Sequence, residues 1–353
     1  MSGSIDKGTS LEIFKKGIAN NEFFSKKSEG AGLLKNILKI FRLLTYRLIS
    51  GRKHKLSSDS VLLVWIPLHE KILNSLPGEK VVLLDHKNTL TGYSFLSYIP
   101  LFHVVRTLFY VPINVRKDGL LCEWCFFNAL TLFFNENVIN SVSIAGHYDK
   151  YATWVSYLAK EMGIHMTISQ HGANCKHNLP NKIPADRVEV FSKAEEEMFR
   201  TTILNPDETE FNIKGFKSSL TFTQGNFKNR TVAIASQPGY EDRVIKLIEI
   251  IKSVDKRINV IVYSHPTDRF RKGECALNND ANCQLEHYAR YWDVDFLIVF
   301  TSTLAYDYWS CEKFAGNVLC YYDEECIVAL YNDERGTVIY PETCYQQLKD
   351  ILV

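Results

Sequence analysis

The sequence is short of several features that would each point to a class at once. No apolar run approaches the about 18 residues that a bilayer-spanning helix needs, so nothing reads as a transmembrane segment. Net charge is scarce. The 41 Lys and Arg nearly cancel the 40 Asp and Glu to leave +1, which excludes a molecule-wide basic surface, and no nucleic-acid partner is expected. No secretory leader pattern opens the chain, and the nine cysteines are odd in number and without a repeated spacing. The expectation is reduced thiols in a cytoplasmic protein. The single C-x-x-C, Cys122 and Cys125, has no second pair, and its neighbours Trp124, Phe126 and Phe127 make it one face of a buried helix rather than a zinc site. No metal and no cofactor are expected.

What is present suits a globular chain. At 353 residues, 46% hydrophobic and 23% charged, it has room for two domains, taking roughly 150 residues per domain. Residues 1–58 form an N-terminal segment. Positions 1–30 are polar, with a short apolar patch at 11–14, and are expected to be partly ordered at best. Over 33–49, Leu33, Leu34, Ile37, Leu38, Phe41, Leu44 and Leu48 recur at helical spacing while Lys35, Lys39, Arg42 and Arg47 interleave. Such a basic amphipathic helix either lies peripherally on the anionic inner membrane or packs on the first domain.

Residues 59–217 alternate strand and helix. Strands are expected at 61–66, 81–85, 141–145, 164–169, 187–192 and 212–215, and helices at 120–134, 151–162 and after the N-cap Ser192. The polar stretch 218–230 reads as a linker. Residues 231–353 then restart the same grammar: strand 231–235, the turn Ser236-Gln237-Pro238-Gly239, helix 241–254, strand 259–263, a helical stretch ending at 288–292, strand 296–300, a helix opening at Thr301-Ser302-Thr303, and strand 317–321. Two facing Rossmann-like α/β domains, 59–217 and 231–353, are the expected fold.

The candidate chemistry sits where apolar runs stop. Strand 259–263 ends at His265-Pro266, and a residue before proline is held extended, so His265 leaves the sheet toward the crevice beyond the strand ends. The turns at 236–239 and 301–303 precede helices and offer hydroxyls and backbone N–H groups to a phosphate. Ser236, Gln237, Pro238, Gly239, His265, Pro266, Thr301, Ser302, Thr303 and Asp307 are the candidates for binding a nucleotide. In the first half, Gly172 lets the backbone turn sharply at Gln170-His171-Gly172 and leaves His171 exposed with the intrinsic pKa of a general base. His147, Asp149, Gln170, Gly172 and Asn174 are further candidates on this side, and Asp149 and His177 are weaker candidates for the base or for orienting it. Asp293-Val294-Asp295 precedes an apolar run instead of following it and reads as the lead-in to a strand.

These motifs together resemble GT-B-fold glycosyltransferases of bacterial surface-polysaccharide synthesis. His265-Pro266 and Ser302-Thr303 are similar to the donor-binding motifs of bacterial sialyltransferases, while Gln170-His171-Gly172 is similar to the His-Gly element of CDP-glycerol-type transferases and stands where sialyltransferases carry a carboxylate. The resemblance spans roughly residues 141–322. It implies an inverting, metal-independent transfer of a nonulosonate-like or Kdo-like sugar from a CMP-sugar to a hydroxyl of a lipid-linked O-antigen or capsule glycan, with His171 as base and His265 at the departing phosphate. CDP-glycerol-type polyol-phosphate transfer, a UDP-sugar transferase or 2-epimerase, and a non-catalytic glycan-binding protein of the same fold remain alternatives.

Overall fold

The structure is a computed structural model that describes residues 5–24, 40–41, 44–48, 55–66, 69, 72–83, 94–107, 111–112, 115, 120–176, 179–205, 209–216, 218, 221–225, 227–265, 268–270, 282–286 and 291–352. The chain forms two units. The first comprises Met1–His171, His177–Val190 and Arg200–Asn212, and the second Gly172–Lys176, Phe191–Phe199 and Ile213–Val353.

The first unit is built on β1 (Ser60–Val64), β2 (Glu79–Val82), β3 (Ser141–Ile144), β4 (His165–Ser169), β5 (Arg187–Val190) and β6 (Glu210–Ile213), in the order β2-β1-β3-β4-β5-β6. The β1–β2, β1–β3, β3–β4 and β4–β5 pairings are parallel. The second unit contains β7 (Phe222–Thr223), β8 (Thr231–Ala235), β9 (Asn259–Tyr263), β10 (Cys283–Glu286), β11 (Tyr291–Trp292), β12 (Phe296–Val299), β13 (Asn317–Tyr321) and β14 (Gly336–Ile339). Six of these form an all-parallel sheet in the order β10-β9-β8-β12-β13-β14. Every residue of β8 is buried, as in a parallel strand covered on both faces. The two-residue period sends Val232, Ile234, Val260 and Val262 to one face, against Val244, Leu247 and Ile251 of the helix Glu241–Val254. It sends Ala233, Ala235, Ile261 and Tyr263 to the other, with Leu304, Ala305 and Tyr308.

Two Rossmann-like units in one chain are what the sequence predicts. Their strand orders carry more information. In each sheet the first strand has its successor on one side and a later strand on the other, so the winding reverses between β1 and β3 and again between β8 and β12. Such reversals open a crevice at the carboxyl ends of the two strands.

The N-terminal segment departs from expectation. Residues 7–24 form a helix, Lys7–Phe24, because the short apolar patch is inserted among aromatic rings: Phe14 stacks on Trp154 at 5.7 Å and meets Trp124 edge-on at 5.0 Å, while Trp154 Nε1 donates to the Phe14 carbonyl at 3.1 Å. Asn20, fully buried, donates to Thr153 Oγ1 at 2.9 Å and to the Asn181 carbonyl at 2.8 Å. A Cβ at Gly17 would lie 2.1 Å from Trp154 Nε1. Alanine there gains about 1 kcal/mol of helix propensity, but overpacking against a fully buried indole costs about 1–3 kcal/mol. Gly17→Ala is therefore expected to lower the urea midpoint, and a raised midpoint would contradict this packing.

Most of the amphipathic stretch 33–49 lies outside the described residues, and its described part corrects the assignment of faces. Arg47 is buried and donates Nε to the Ile99 carbonyl at 2.7 Å, whereas Phe41 and Leu48 are 68% and 64% exposed. Among the described residues no helix is long and apolar enough to cross a membrane. Cys122 and Cys125 are buried on the helix Leu121–Glu136. Tyr291–Trp292, read from sequence as a helix end, is instead a strand paired parallel with β7, which itself lies inside the stretch read as a linker. The Trp292 backbone N–H is taken by the buried Tyr263 hydroxyl at 2.8 Å, which draws these two residues into an extended conformation.

Candidate functional site

At the β1–β3 reversal of the first unit stands a cluster of imidazoles. β3 runs out into Ala145-Gly146-His147 and β4 into Gln170-His171. His171 Nδ1 lies 2.6 Å from the Ala145 carbonyl oxygen. A carbonyl can only accept, so Nδ1 carries the proton and Nε2 keeps its lone pair. Burial pushes the His171 pKa below its ordinary value, with the Ala145 hydrogen bond opposing in part. Both effects suit a neutral base: one fixes the tautomer, the other keeps the ring unprotonated.

Around it, the His147 ring centroid is 5.2 Å away, His69 5.3 Å and Tyr148 6.2 Å. His69 and His147 are almost fully buried. Trp65, just past the end of β1, meets His69 edge-on at 4.6 Å and donates Nε1 to Asp149 Oδ2 at 2.7 Å. The other Asp149 oxygen caps the helix Lys150–Met162 through the Ala152 N–H at 2.9 Å, and burial raises the Asp149 pKa despite these donors. Asp149 is thus committed to Trp65 and the helix start, and the Ala145 carbonyl orients His171 in its place. A Cβ at Gly146 would sit 2.4 Å from the Trp65 ring and 3.0 Å from the His69 ring, so glycine is required for these rings to close over the end of β3. Gln170 is buried and donates its backbone N–H to the Glu189 carbonyl at 2.9 Å. His177 lies outside the described residues.

At the β8–β12 reversal of the second unit, the Gln237 side-chain oxygen accepts the Thr301 backbone N–H at 3.3 Å and also the Thr301 hydroxyl, joining the tips of the two strands. Ser236 is fully buried, its backbone N–H donated to the Tyr263 carbonyl at 2.9 Å and its hydroxyl without a hydrogen-bond partner among the described residues. Pro238 and Gly239 are exposed, and Gly239 takes the turn with φ +88°. His265 follows β9, its backbone N–H donated to Asp268 Oδ2 at 2.7 Å, and the Asp268 N–H returns to the His265 carbonyl at 3.1 Å. Pro266 lies outside the described residues.

Several details differ from the sequence reading. Glu241, the first residue of the helix Glu241–Val254, accepts the Gly239 N–H at 2.9 Å, so that N–H of the turn is already taken. The helix after Thr303, Leu304–Trp309, is a turn and a half, and Thr303 caps it without a side-chain bond. Thr303 Oγ1 instead accepts the Ala173 N–H at 3.2 Å, and Ser302 Oγ accepts the Leu304 N–H at 3.2 Å. Gly172 is not in the left-handed region as a sharp glycine turn would have it. It is small because Thr303 packs on it, a Cβ there lying 3.3 Å from Thr303 Oγ1. Asn174 is held by the buried Glu195, and Asp307 accepts the Ser218 hydroxyl at 2.6 Å. Asp295 accepts the Thr231 N–H at 2.7 Å at the start of β12, the opposite end of the sheet from these turns.

Sequence reasoning missed Trp65, His69 and Glu195. The signal for the first two was present: an aromatic residue and a histidine just past the first strand of an α/β unit fall beside the reversal. Glu195 looked like an ordinary first-turn carboxylate, and only the tertiary fold buries it.

No protein-family model matches the chain, and no curated protein does. Solved structures resemble it distantly. HepE of Anabaena, crystallised with UDP and glucose and with UDP-glucose, is 10% and 11% identical with TM-scores of 0.44 and 0.48, the match covering 83% of this chain and 88% of that one in each case. The glycotransferase of kitacinnamycin is 11% identical over 83% of this chain and 89% of its own, with a TM-score of 0.46. The wall teichoic acid polymerase TagF, soaked with CDPG, is 11% identical over 97% and 89%, with a TM-score of 0.39. At this level of likeness none of them assigns a donor, an acceptor or a residue role here.

Proposed function

We propose that the protein is an inverting glycosyltransferase that moves a sugar from a cytidine-nucleotide donor, a CMP-activated nonulosonate-like or Kdo-like sugar, to a hydroxyl of a lipid-linked O-antigen or capsule glycan in the cytoplasm. The observation that carries the reading is the His171–Ala145 hydrogen bond, which leaves Nε2 of a partly buried ring unprotonated at the reversal of the first sheet. In the proposed step, His171 Nε2 takes the acceptor hydroxyl proton as that oxygen attacks the anomeric carbon, and the bond from that carbon to the phosphate oxygen breaks. Ser236, the Gln237–Thr301 pair, Ser302 and His265 receive the phosphate charge as it develops, a task of placement and electrostatics in which no metal takes part. The exposed Phe41 and Leu48 support peripheral contact with the inner membrane, where such an acceptor resides.

A second reading, polyol-phosphate transfer from a CDP-glycerol-type donor, is favoured by one particular: the base is a histidine, where the sialyltransferase-like motif carries a carboxylate. In that reaction the attacked atom is phosphorus, and His171 keeps its role.

A thermal-shift panel of CMP, CDP, UDP, UMP and GDP, with and without magnesium, tests the reading. A ligand at about 100 times its Kd stabilises the native state by about 2.7 kcal/mol, enough to raise Tm by several degrees. A CMP-selective shift that ignores magnesium is expected, and Gln237→Ala should weaken it about tenfold in Kd by removing the side-chain NH2 donor that the Thr301 hydrogen bonds to Gln237 Oε1 hold in place. CDP preference would move the assignment to polyol-phosphate transfer. UDP preference, or no shift with any nucleotide, would overturn it.

A further inference from the structure

Cys175 and Cys326 lie with their sulfur atoms 3.1 Å apart in the second unit. Cys175 belongs to the segment Gly172–Lys176, and Cys326 to the turn that follows β13. Their backbones are already fastened together. The Lys176 N–H donates to the Ile327 carbonyl at 2.7 Å, the Ala329 N–H to the Asn174 carbonyl at 3.1 Å, and Cys175 forms an antiparallel bridge with Val328. The two sulfurs are thus held in contact by the main chain on both sides, not by the chance approach of two mobile side chains. Both residues are partly exposed, so a small reagent can reach them.

We propose that Cys175 and Cys326 form a reversible oxidation site for low-molecular-weight disulfides, closing to an intramolecular disulfide that fastens the Gly172–Lys176 segment to the turn after β13. Two thiols that share one proton are unequal. The contact between the two sulfurs holds the Cys326 thiol below its ordinary value and pushes Cys175 up. This assigns the order of events. The Cys326 thiolate attacks one sulfur of the small disulfide, the disulfide bond breaks, and the first small thiolate leaves and takes up the proton that Cys175 gives up. The Cys175 sulfur then attacks the Cys326 sulfur of the mixed disulfide and expels the second small thiolate, which takes a proton from water or from the proton released when Cys326 first ionised. Two protein thiols are oxidised to one disulfide, and one small disulfide is reduced to two small thiols. This inference does not depend on the proposed transferase activity.

The test uses the full chain with oxidised glutathione, read by intact mass and by a peptide map without reduction. The expected result is loss of two hydrogens, a linked pair of peptides carrying Cys175 and Cys326, reversal by dithiothreitol, and a Tm several degrees higher in the oxidised form, because the link closes a long loop in the unfolded chain. Cys175→Ser should stop at a single glutathione adduct on Cys326, and Cys326→Ser should slow the reaction of Cys175 at least about tenfold. Separate adducts on the two cysteines without a link, or a link through other cysteines, would overturn the proposal. The map of the unmutated protein decides this even if a variant fails to fold.

Discussion

His171→Asn is expected to lower kcat by about 10²–10⁴-fold, the usual worth of a positioned general base, while leaving donor affinity within about twofold. Asparagine keeps a side chain that can donate to the Ala145 carbonyl, so the end of β3 stays in place and only the lone pair of Nε2 is lost. The pH dependence is a second mark of the same residue. Burial, the larger influence, favours the neutral ring and depresses its pKa, so the base is competent at every pH above that depressed value. The acid limb of kcat/KM should fall below about pH 6.5, the ordinary histidine value, and the His171 limb should vanish in the variant. A limb above that value, or an unchanged limb in the variant, would contradict the assignment. Stability follows with a definite sign. The unfolded chain binds the proton first as pH falls through about 6.5, so acidification from there disfavours the folded first unit and returning to neutral pH restores it.

Glu195→Leu is expected to cost roughly 3–5 kcal/mol of stability, because it strands several buried neutral donors at about 1–3 kcal/mol each. Glu195 is fully buried and accepts from Asn174 Nδ2 at 2.7 Å, from the Asn174 backbone N–H at 3.3 Å and from the Tyr306 hydroxyl at 2.7 Å. Burial and then the Glu195 charge hold the Tyr306 phenol up, well above its ordinary value, so it remains a donor at any working pH. Leucine fills the volume and answers none of these groups. The segment from Gly172 to Asn174 then loses an anchor, although Thr303 still accepts the Ala173 N–H. Urea unfolding followed by tyrosine fluorescence and circular dichroism checks the value. A loss under about 1 kcal/mol would mean that water satisfies the stranded groups, and that the network is not a buried one.

Where the sequence spoke clearly, it did so through periodicity and local capping. The β-branched run at 259–263 is β9, and Ser192 caps its helix through the Glu195 N–H at 3.4 Å, because both depend on neighbours close in the chain. The helix at 241–254 likewise carries its apolar stripe in its own sequence. What stayed hidden depends on distant partners. Residues 7–24 have too little apolar surface to predict order, and gain it from Trp124 and Trp154 more than 100 positions away. β7 and β11 are two residues each, below any periodic signal, and exist because they pair with one another. The tips bearing His171 and the Gln237–Thr301 pair were legible as candidates, since strand ends are marked by where apolar runs stop. That His171 meets His69 beside Trp65 within the first unit, and Gln237 meets Thr301 within the second, is a consequence of the winding reversal in each sheet, which no local pattern encodes.

The most direct test of the division between a base in the first unit and a donor cradle in the second is calorimetric titration of CMP into the unmutated protein, Gln237→Ala and His171→Asn side by side. The expected result is unchanged affinity in His171→Asn and affinity about tenfold weaker in Gln237→Ala, the equivalent of one lost charge-assisted contact. Equal weakening in both variants, or weakening in His171→Asn alone, would contradict it.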